Sequence, residues 1–329
     1  MARITVFGAG AMGTALAMHL ARRGEEVALW GSEFDARVLP ELRDEGTHPA
    51  LPGRIPESVR VHGPDELEDA AKGVEICVLG ANSGGARSLA GLVKPAVPQA
   101  AAVVSIAKGL EPDTMKRMSE VYTEELGHPV VAVGGPALAP EVAEAQPCVA
   151  VFACPDEDAL GTAVDAFRSP RYGVHTTDDC PGLELCGTAK NVGAIAAGIV
   201  EGLAAAREQA NKNARAVLFT QAVHEMADLI EAAGGRRETA LGLAGMGDLL
   251  VTSLGGRNRQ FGEVVGSGSE PHRAEEEMEA RGMTVEGVES ARDVHVLAER
   301  HGLDLRLHEA VYRVIHEGEP PESILEAVR

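Results

Sequence analysis

The sequence predicts an α/β chain in two parts: a doubly wound sheet domain over residues 1–182, followed by an all-helical domain over residues 183–329. Two observations carry this reading. Short β-rich runs alternate with helical periodicity through the first half, and after about residue 182 the strand patterns stop. The length of 329 residues suits two domains at roughly 150 residues each. Hydrophobic residues make up 45% and aromatics only 3%, so the core is built from Ala, Val, Leu and Ile, as tightly packed α/β layers require.

The first strand, Arg3 to Phe7 (RITVF), breaks into Gly8-Ala9-Gly10-Ala11-Met12-Gly13 and continues as the helical pattern TALAMHLARRG. Strand, glycine turn and helix form the context of a dinucleotide fingerprint. Gly8 is expected to make the tight turn, Gly10 to let a pyrophosphate approach the backbone, and Gly13 to pack helix on strand. The helix N-terminus, at Ala11 and Met12, then presents unpaired N–H groups to phosphate. The sheet domain is therefore of Rossmann type, with NAD or NADP as the expected cofactor. The second strand, Glu26 to Trp30, is followed by Gly31-Ser32-Glu33-Phe34-Asp35. No acid stands at the strand end itself, but Glu33 and Asp35 favour NAD over NADP.

Further strands are predicted over 75–79, 101–105, 130–133, 148–152 and 172–176, with helices around 141–144 and 157–167 and a short connecting strand within 36–73. Ligands bind such sheets at the carboxyl ends of the strands. Gly8, Ser83, Lys108 and Pro136 are accordingly expected to face one crevice. Taken singly, a lysine after a strand is most often a solvated loop charge; its placement at that edge is what makes Lys108 a candidate.

The second part reads as helices over 184–203, 211–233, 237–243, 246–252, 257–266, 271–281, 286–301, 307–317 and 321–328. Its opening stretch, Leu183 to Gly202, is almost without bulky side chains, and each internal glycine costs about 1 kcal/mol relative to alanine. A close-packing requirement must offset that cost. Into this smooth segment are set Lys190 and Asn191. A buried lysine needs a partner, and burial moves its pKa toward a range useful for proton transfer; a helix-end lysine reaching solvent is the alternative. Asp248 and Thr252 lie four apart, on one helix face. Arg257 and Asn258 follow a Gly-Gly pair, an arrangement suited to holding phosphate through paired hydrogen bonds. The alternative there is a capping aspartate and a surface arginine.

Composition narrows the partners. Lys+Arg of 30 against Asp+Glu of 50 gives a net charge of −20, which argues against nucleic acid or an anionic membrane. No uninterrupted run of 18 apolar residues indicates a membrane span or signal peptide. Five cysteines, odd in number and without metal spacing, read as reduced thiols in a cytoplasmic protein with no metal site. The apolar helical part makes a homodimer the expected assembly.

The longer motifs are GAGAMG at 8–13, SIAKG at 105–109, GPALAPEVA at 135–143, ELCGTAKNVGAIAAGI at 184–199, AGMGDLLVTSLGGRNRQFG at 244–262 and VEGVESA at 285–291. On these the chain resembles, essentially end to end, the NAD(P)-dependent sn-glycerol-3-phosphate dehydrogenases. The resemblance implies an oxidoreductase interconverting sn-glycerol 3-phosphate and dihydroxyacetone phosphate. It further implies Lys190 as proton donor and acceptor at the substrate C2 oxygen, oriented or tuned by Asp248. Lys108, Asn191 and Thr252 are implied to position the substrate, Arg257 and Asn258 to take its phosphate, and Glu286, with Ser83 and Arg257, to lie near the cofactor. The chain departs from the family pattern at Asn82, Ala137, Gln221 and across 203–215. Two alternatives stay open: the same mechanism on a related phosphorylated or phosphonylated 2-hydroxy or keto compound, and a dinucleotide-sensing protein without turnover.

Overall fold

The computed structural model describes residues 1–208 and 210–327. Gln209, within one departure from the family pattern, and Val328, the end of the last predicted helix, lie outside the described residues. The chain divides into two compact units, Met1–Cys180 and Pro181–Arg329.

The first unit is built on β1 (Arg3–Phe7), β2 (Glu26–Trp30), β3 (Arg60–His62), β4 (Ile76–Leu79), β5 (Ala102–Ser105), β6 (Val130–Gly134), β7 (Cys148–Ala153) and β8 (Tyr172–Thr177). They form one sheet in the order β3-β2-β1-β4-β5-β6-β7-β8. The sequence direction reverses between β1 and β4, which makes that point the topological switch. Pairing is parallel from β3 across to β6. The strands are continuous Val, Ile, Leu and Ala runs because helices cover both faces. One face packs on Ala15, Leu16, Leu20 and Phe167, the other on Leu89, Val93, Val121 and Tyr122.

Two features were not expected. β7 runs antiparallel to β6. The only helix between them, Ala139–Ala143, has five residues, and at about 1.5 Å rise each it is too short to carry the chain back along a strand. The chain therefore re-enters from the edge it left. A further helix, Met118–Leu126, follows β5 and buries Met118, Val121 and Tyr122.

The second unit is helical and is organised around Cys180–Ala206, 27 residues long. Among the described residues this is the one helix long and apolar enough to cross a membrane, yet 94% of its most apolar window is buried. Its glycines meet those of the helix Arg257–Gly266. A Cβ on Gly198 would stand 2.1 Å from the Arg259 carbonyl oxygen, and one on Gly202 2.2 Å from that of Glu263. Conversely, a Cβ on Gly262 would stand 2.3 Å from the Ile195 oxygen and one on Gly266 2.2 Å from the Ile199 oxygen. The two backbones touch along the reciprocal pairs 198/202 and 262/266, which is the packing requirement the glycine-rich stretch implied.

Gln221, a departure from the family pattern, donates Nε2 to Glu225 Oε1 at 2.8 Å. Glu225 is buried and also accepts the Leu307 and His308 backbone N–H groups and the His308 ring. Gln221 thus completes a scaffold carboxylate.

Candidate active site

In the sheet unit the three glycines have three different surroundings. Gly8 has φ +113°, and a Cβ there would stand 2.3 Å from the Gly80 carbonyl oxygen. A Cβ on Gly13 would stand 2.3 Å from the Gly8 oxygen, whereas Gly10 has nothing within 4 Å and is exposed. Gly10 caps the helix Ala11–Arg22 without a side-chain bond, so no capping side chain occupies the N–H groups of the first turn. This cradle fits a pyrophosphate.

Because β1, β4, β5 and β6 are parallel, Gly8, Ser83, Lys108 and Pro136 follow the same sheet edge. The loops touch in succession. Gly8 abuts Gly80, Gly80 abuts Ile106, and a Cβ on Gly109 would stand 3.1 Å from Ser83 Oγ. Lys108, one residue earlier, is half-buried. Asn82, where the family pattern differs, accepts the Gly85 N–H at 2.8 Å and so closes the turn that carries Ser83.

The segment after β2 holds a finding that spacing did not reveal. Asp35 does not point outward: Oδ1 accepts the Ala9 N–H at 3.1 Å, and Oδ2 accepts the Ser32 N–H at 2.9 Å. Glu33, two residues earlier, is exposed.

In the helical unit, Lys190 and Asn191 are consecutive, so their side chains leave the helix about 100° apart. Lys190 is 6% exposed and Asp248 2%. Lys190 Nζ donates to Asp248 Oδ1 at 3.2 Å and to Thr252 Oγ1 at 2.9 Å. The Thr252 hydroxyl in turn donates to the Asp248 carbonyl oxygen at 2.7 Å. The solvent-reaching alternative for Lys190 is excluded by this burial. Asp248 is the first residue of the helix Asp248–Leu254, whose N-cap is Gly247. A wide π turn, Leu243–Gly247, precedes it, with Gly247 N–H bonded to the Gly242 oxygen at 3.1 Å. A Cβ on Gly245 would stand 2.2 Å from the Ala240 oxygen. Such turns recur at functional sites, and here the extra residue per turn sets the rotation at which Asp248 meets Lys190.

Asn191 faces another pair of helices. Its Oδ1 accepts Asn258 Nδ2 at 2.9 Å and its Nδ2 lies 3.5 Å from Ser290 Oγ. Asn258 Oδ1 accepts the Gly287 N–H at 2.9 Å. Asn258 is therefore turned inward, holding Asn191, while Arg257 beside it is half exposed and 3.6 Å from Glu286 Oε1. Spacing had placed Arg257 and Asn258 on one anion. Being consecutive on a helix, they diverge. Gly287 and Ser290 were missed as individual positions, although both lie in VEGVESA. The available signal was Gly287 itself, where a Cβ would stand 2.6 Å from Ile195 Cδ1.

An open glycine cradle on a Rossmann-type sheet, with a buried lysine held by a carboxylate and a hydroxyl in a helical unit, defines a dinucleotide-dependent oxidoreductase. The chain matches the N-terminal model of the NAD-dependent glycerol-3-phosphate dehydrogenases over residues 3–160 and their C-terminal model over 179–326. It belongs to that family. It is 35% identical to the NADP(+)-dependent glycerol-3-phosphate dehydrogenase of Archaeoglobus fulgidus, covering 98% of this chain and 97% of that one. Identity to glycerol-3-phosphate dehydrogenase [NAD(P)+] 2 of Salinibacter ruber is 38%, covering 98% and 93%. The crystal structure of glycerol-3-phosphate dehydrogenase from Coxiella burnetii superposes with a TM-score of 0.89 at 33% identity, over 99% of this chain and 98% of that one.

Proposed function

We propose that the chain interconverts sn-glycerol 3-phosphate and dihydroxyacetone phosphate with NAD(P), using Lys190 as the proton donor and acceptor. The single observation that carries this reading is the buried ammonium of Lys190, held by Asp248 and Thr252. When bound, NAD(P)H supplies a hydride to C2 of the ketone. Negative charge then grows on the C2 oxygen, and the Lys190 ammonium stabilises it and donates a proton. Asp248 keeps the amine charged and aimed in the low-dielectric interior, and Thr252 fixes its second N–H. In the oxidative direction the neutral amine takes the hydroxyl proton. Asn191, braced by Asn258 and Ser290, holds the substrate beside Lys190, and Lys108 is assigned to the same task.

Gly8, Gly10, Ala11, Met12, Gly13 and Ser83 are assigned to the cofactor, together with Glu286. Arg257 is assigned to substrate phosphate and to the cofactor, with Asn258 contributing to the phosphate site through its remaining N–H. Glu33 supports the preference for NAD over NADP, because its exposed carboxylate follows β2, where a 2′-phosphate would add like charge. Exposed Met246, Leu250 and Leu254, four residues apart, support a homodimer, and five cysteines, odd in number and without metal spacing, support a reducing, cytoplasmic location. A lysine–aspartate pair at a substrate position favours turnover over mere sensing.

The test is oxidation of NADH and of NADPH by the purified protein with dihydroxyacetone phosphate. The reading expects turnover with both and a higher kcat/KM with NADH; no turnover with either cofactor would remove it. Arg257→Ala is expected to raise KM for dihydroxyacetone phosphate about 10- to 100-fold, the loss of one charge-assisted contact. KM for dihydroxyacetone, which lacks phosphate, should barely move. Equal effects on the two substrates would place phosphate recognition elsewhere.

A further inference from the structure

The exit of β2 is tied to the glycine turn at two points. Gly8 N–H donates to the Trp30 carbonyl oxygen at 2.8 Å. One residue on, Ala9 N–H donates to Asp35 Oδ1 at 3.1 Å. The first tie is sheet geometry that any sequence supplies. The second depends on one side chain. Asp35 is itself fixed, because Oδ2 accepts both the backbone N–H and the hydroxyl of Ser32, at 2.9 and 3.2 Å. Gly31 leaves it room: a Cβ there would stand 3.1 Å from Asp35 Cβ and 2.7 Å from Leu39 Cδ2. The carboxylate bridges the turn that cradles pyrophosphate and the loop that follows β2.

We propose that Asp35 is a positioning residue for the cofactor: by holding the Ala9 peptide it presets the glycine turn for pyrophosphate, and it takes no part in distinguishing a 2′-hydroxyl from a 2′-phosphate. A carboxylate after the second strand of such a sheet ordinarily reads the ribose, and Asp35 has the residue type and the approximate place for it. Its two oxygens are instead turned back onto three donors of its own chain. Ala9 lies between Gly8, which makes the tight turn, and Gly10, where phosphate approaches, so freeing its peptide loosens the segment that must be still when the diphosphate arrives. The pyrophosphate is common to NADH and NADPH. The effect of Asp35 must therefore be the same for both, whereas a residue that reads the ribose moves them in opposite directions.

The inference rests on the assignment of the glycine turn to NAD(P), and the experiment measures cofactor binding directly, so it stands apart from whether dihydroxyacetone phosphate is the substrate. NADH and NADPH are titrated into wild-type protein, Asp35→Ala and Asp35→Asn, following nicotinamide fluorescence, with thermal midpoints recorded alongside. Asp35→Ala should weaken both cofactors by about tenfold, the loss of one hydrogen bond to a charged group, with their affinity ratio unchanged within twofold. Asp35→Asn, which keeps an acceptor for Ala9, should recover most of the loss. In turnover assays the change should fall on KM for cofactor rather than on kcat. Weakened NADH with strengthened NADPH would overturn the proposal in favour of ribose recognition. A lowered thermal midpoint with both affinities intact would overturn it in favour of a purely structural bond. Wild-type protein that bound neither cofactor would instead remove the assignment on which the inference rests.

Discussion

Alanine in place of Lys190 is expected to lower kcat for dihydroxyacetone phosphate reduction by about 10² to 10⁴ while leaving NADH affinity within a few-fold of wild type. The charge that develops on the C2 oxygen would then lose both its stabilising ammonium and its proton source. Removing the lysine also leaves Asp248, 2% exposed, without the cation it faces. A buried carboxylate deprived of its partner costs several kcal/mol, so stability should fall as well. Asp248→Ala added to Lys190→Ala should cost little further activity, since the two act as a unit. A double variant far slower than the single one would mean that Asp248 works separately from the lysine. Thermal midpoints of both variants keep the two effects apart.

The second large effect is expected from backbone contact alone. Gly198→Ala adds one methyl group 2.1 Å from the Arg259 carbonyl oxygen and 2.9 Å from the Glu263 nitrogen. Both neighbours are backbone, so no rotamer change relieves the contact and the helices must separate. Overpacking usually costs about 1–3 kcal/mol, and a rigid backbone neighbour places this case at the upper end or beyond. The displaced helix begins with Arg257 and Asn258, so the damage should reach the site: KM for dihydroxyacetone phosphate should rise along with the loss of stability. Gly161→Ala is the control. It lies within the helix Glu157–Phe167 with nothing within 4 Å of its added Cβ, so better helix propensity should leave stability equal or slightly raised. Unfolding midpoints in urea for the two variants check both statements, and equal midpoints would contradict the backbone-contact account.

What was legible in the chain follows from what each residue has to do locally. The glycine turn was readable because three glycines at fixed spacing each answer a different steric demand, and the structure shows three different surroundings for them. The helix around Lys190 was readable as a buried, closely approached segment because only a packing partner makes so many small residues tolerable. Its partner was not readable: nothing within 183–202 says that 262 and 266 supply the matching glycines. The direction of β7 depends on how far a short connection reaches, which no strand pattern encodes. The helix Met118–Leu126 carried an apolar spacing at 118, 121 and 122, but over only nine residues and after a loop in which Asp113 and Met115 adopt positive φ. Side-chain direction was the least legible. Spacing set Arg257 beside Asn258 and put Asp35 near the ribose, yet Asn258 turns in to Asn191 and Asp35 turns back to Ala9.

The claim on which the catalytic account stands is that the amine at position 190 moves the proton. The most direct measurement is rescue of Lys190→Ala by added primary amines, following NADH oxidation with dihydroxyacetone phosphate across amines of graded basicity and similar size. The account predicts that activity returns in proportion to amine concentration, saturates, and varies with amine pKa as general acid catalysis requires. Activity that stays at the variant's level with every amine, in protein that still binds NADH and unfolds cooperatively, would contradict it.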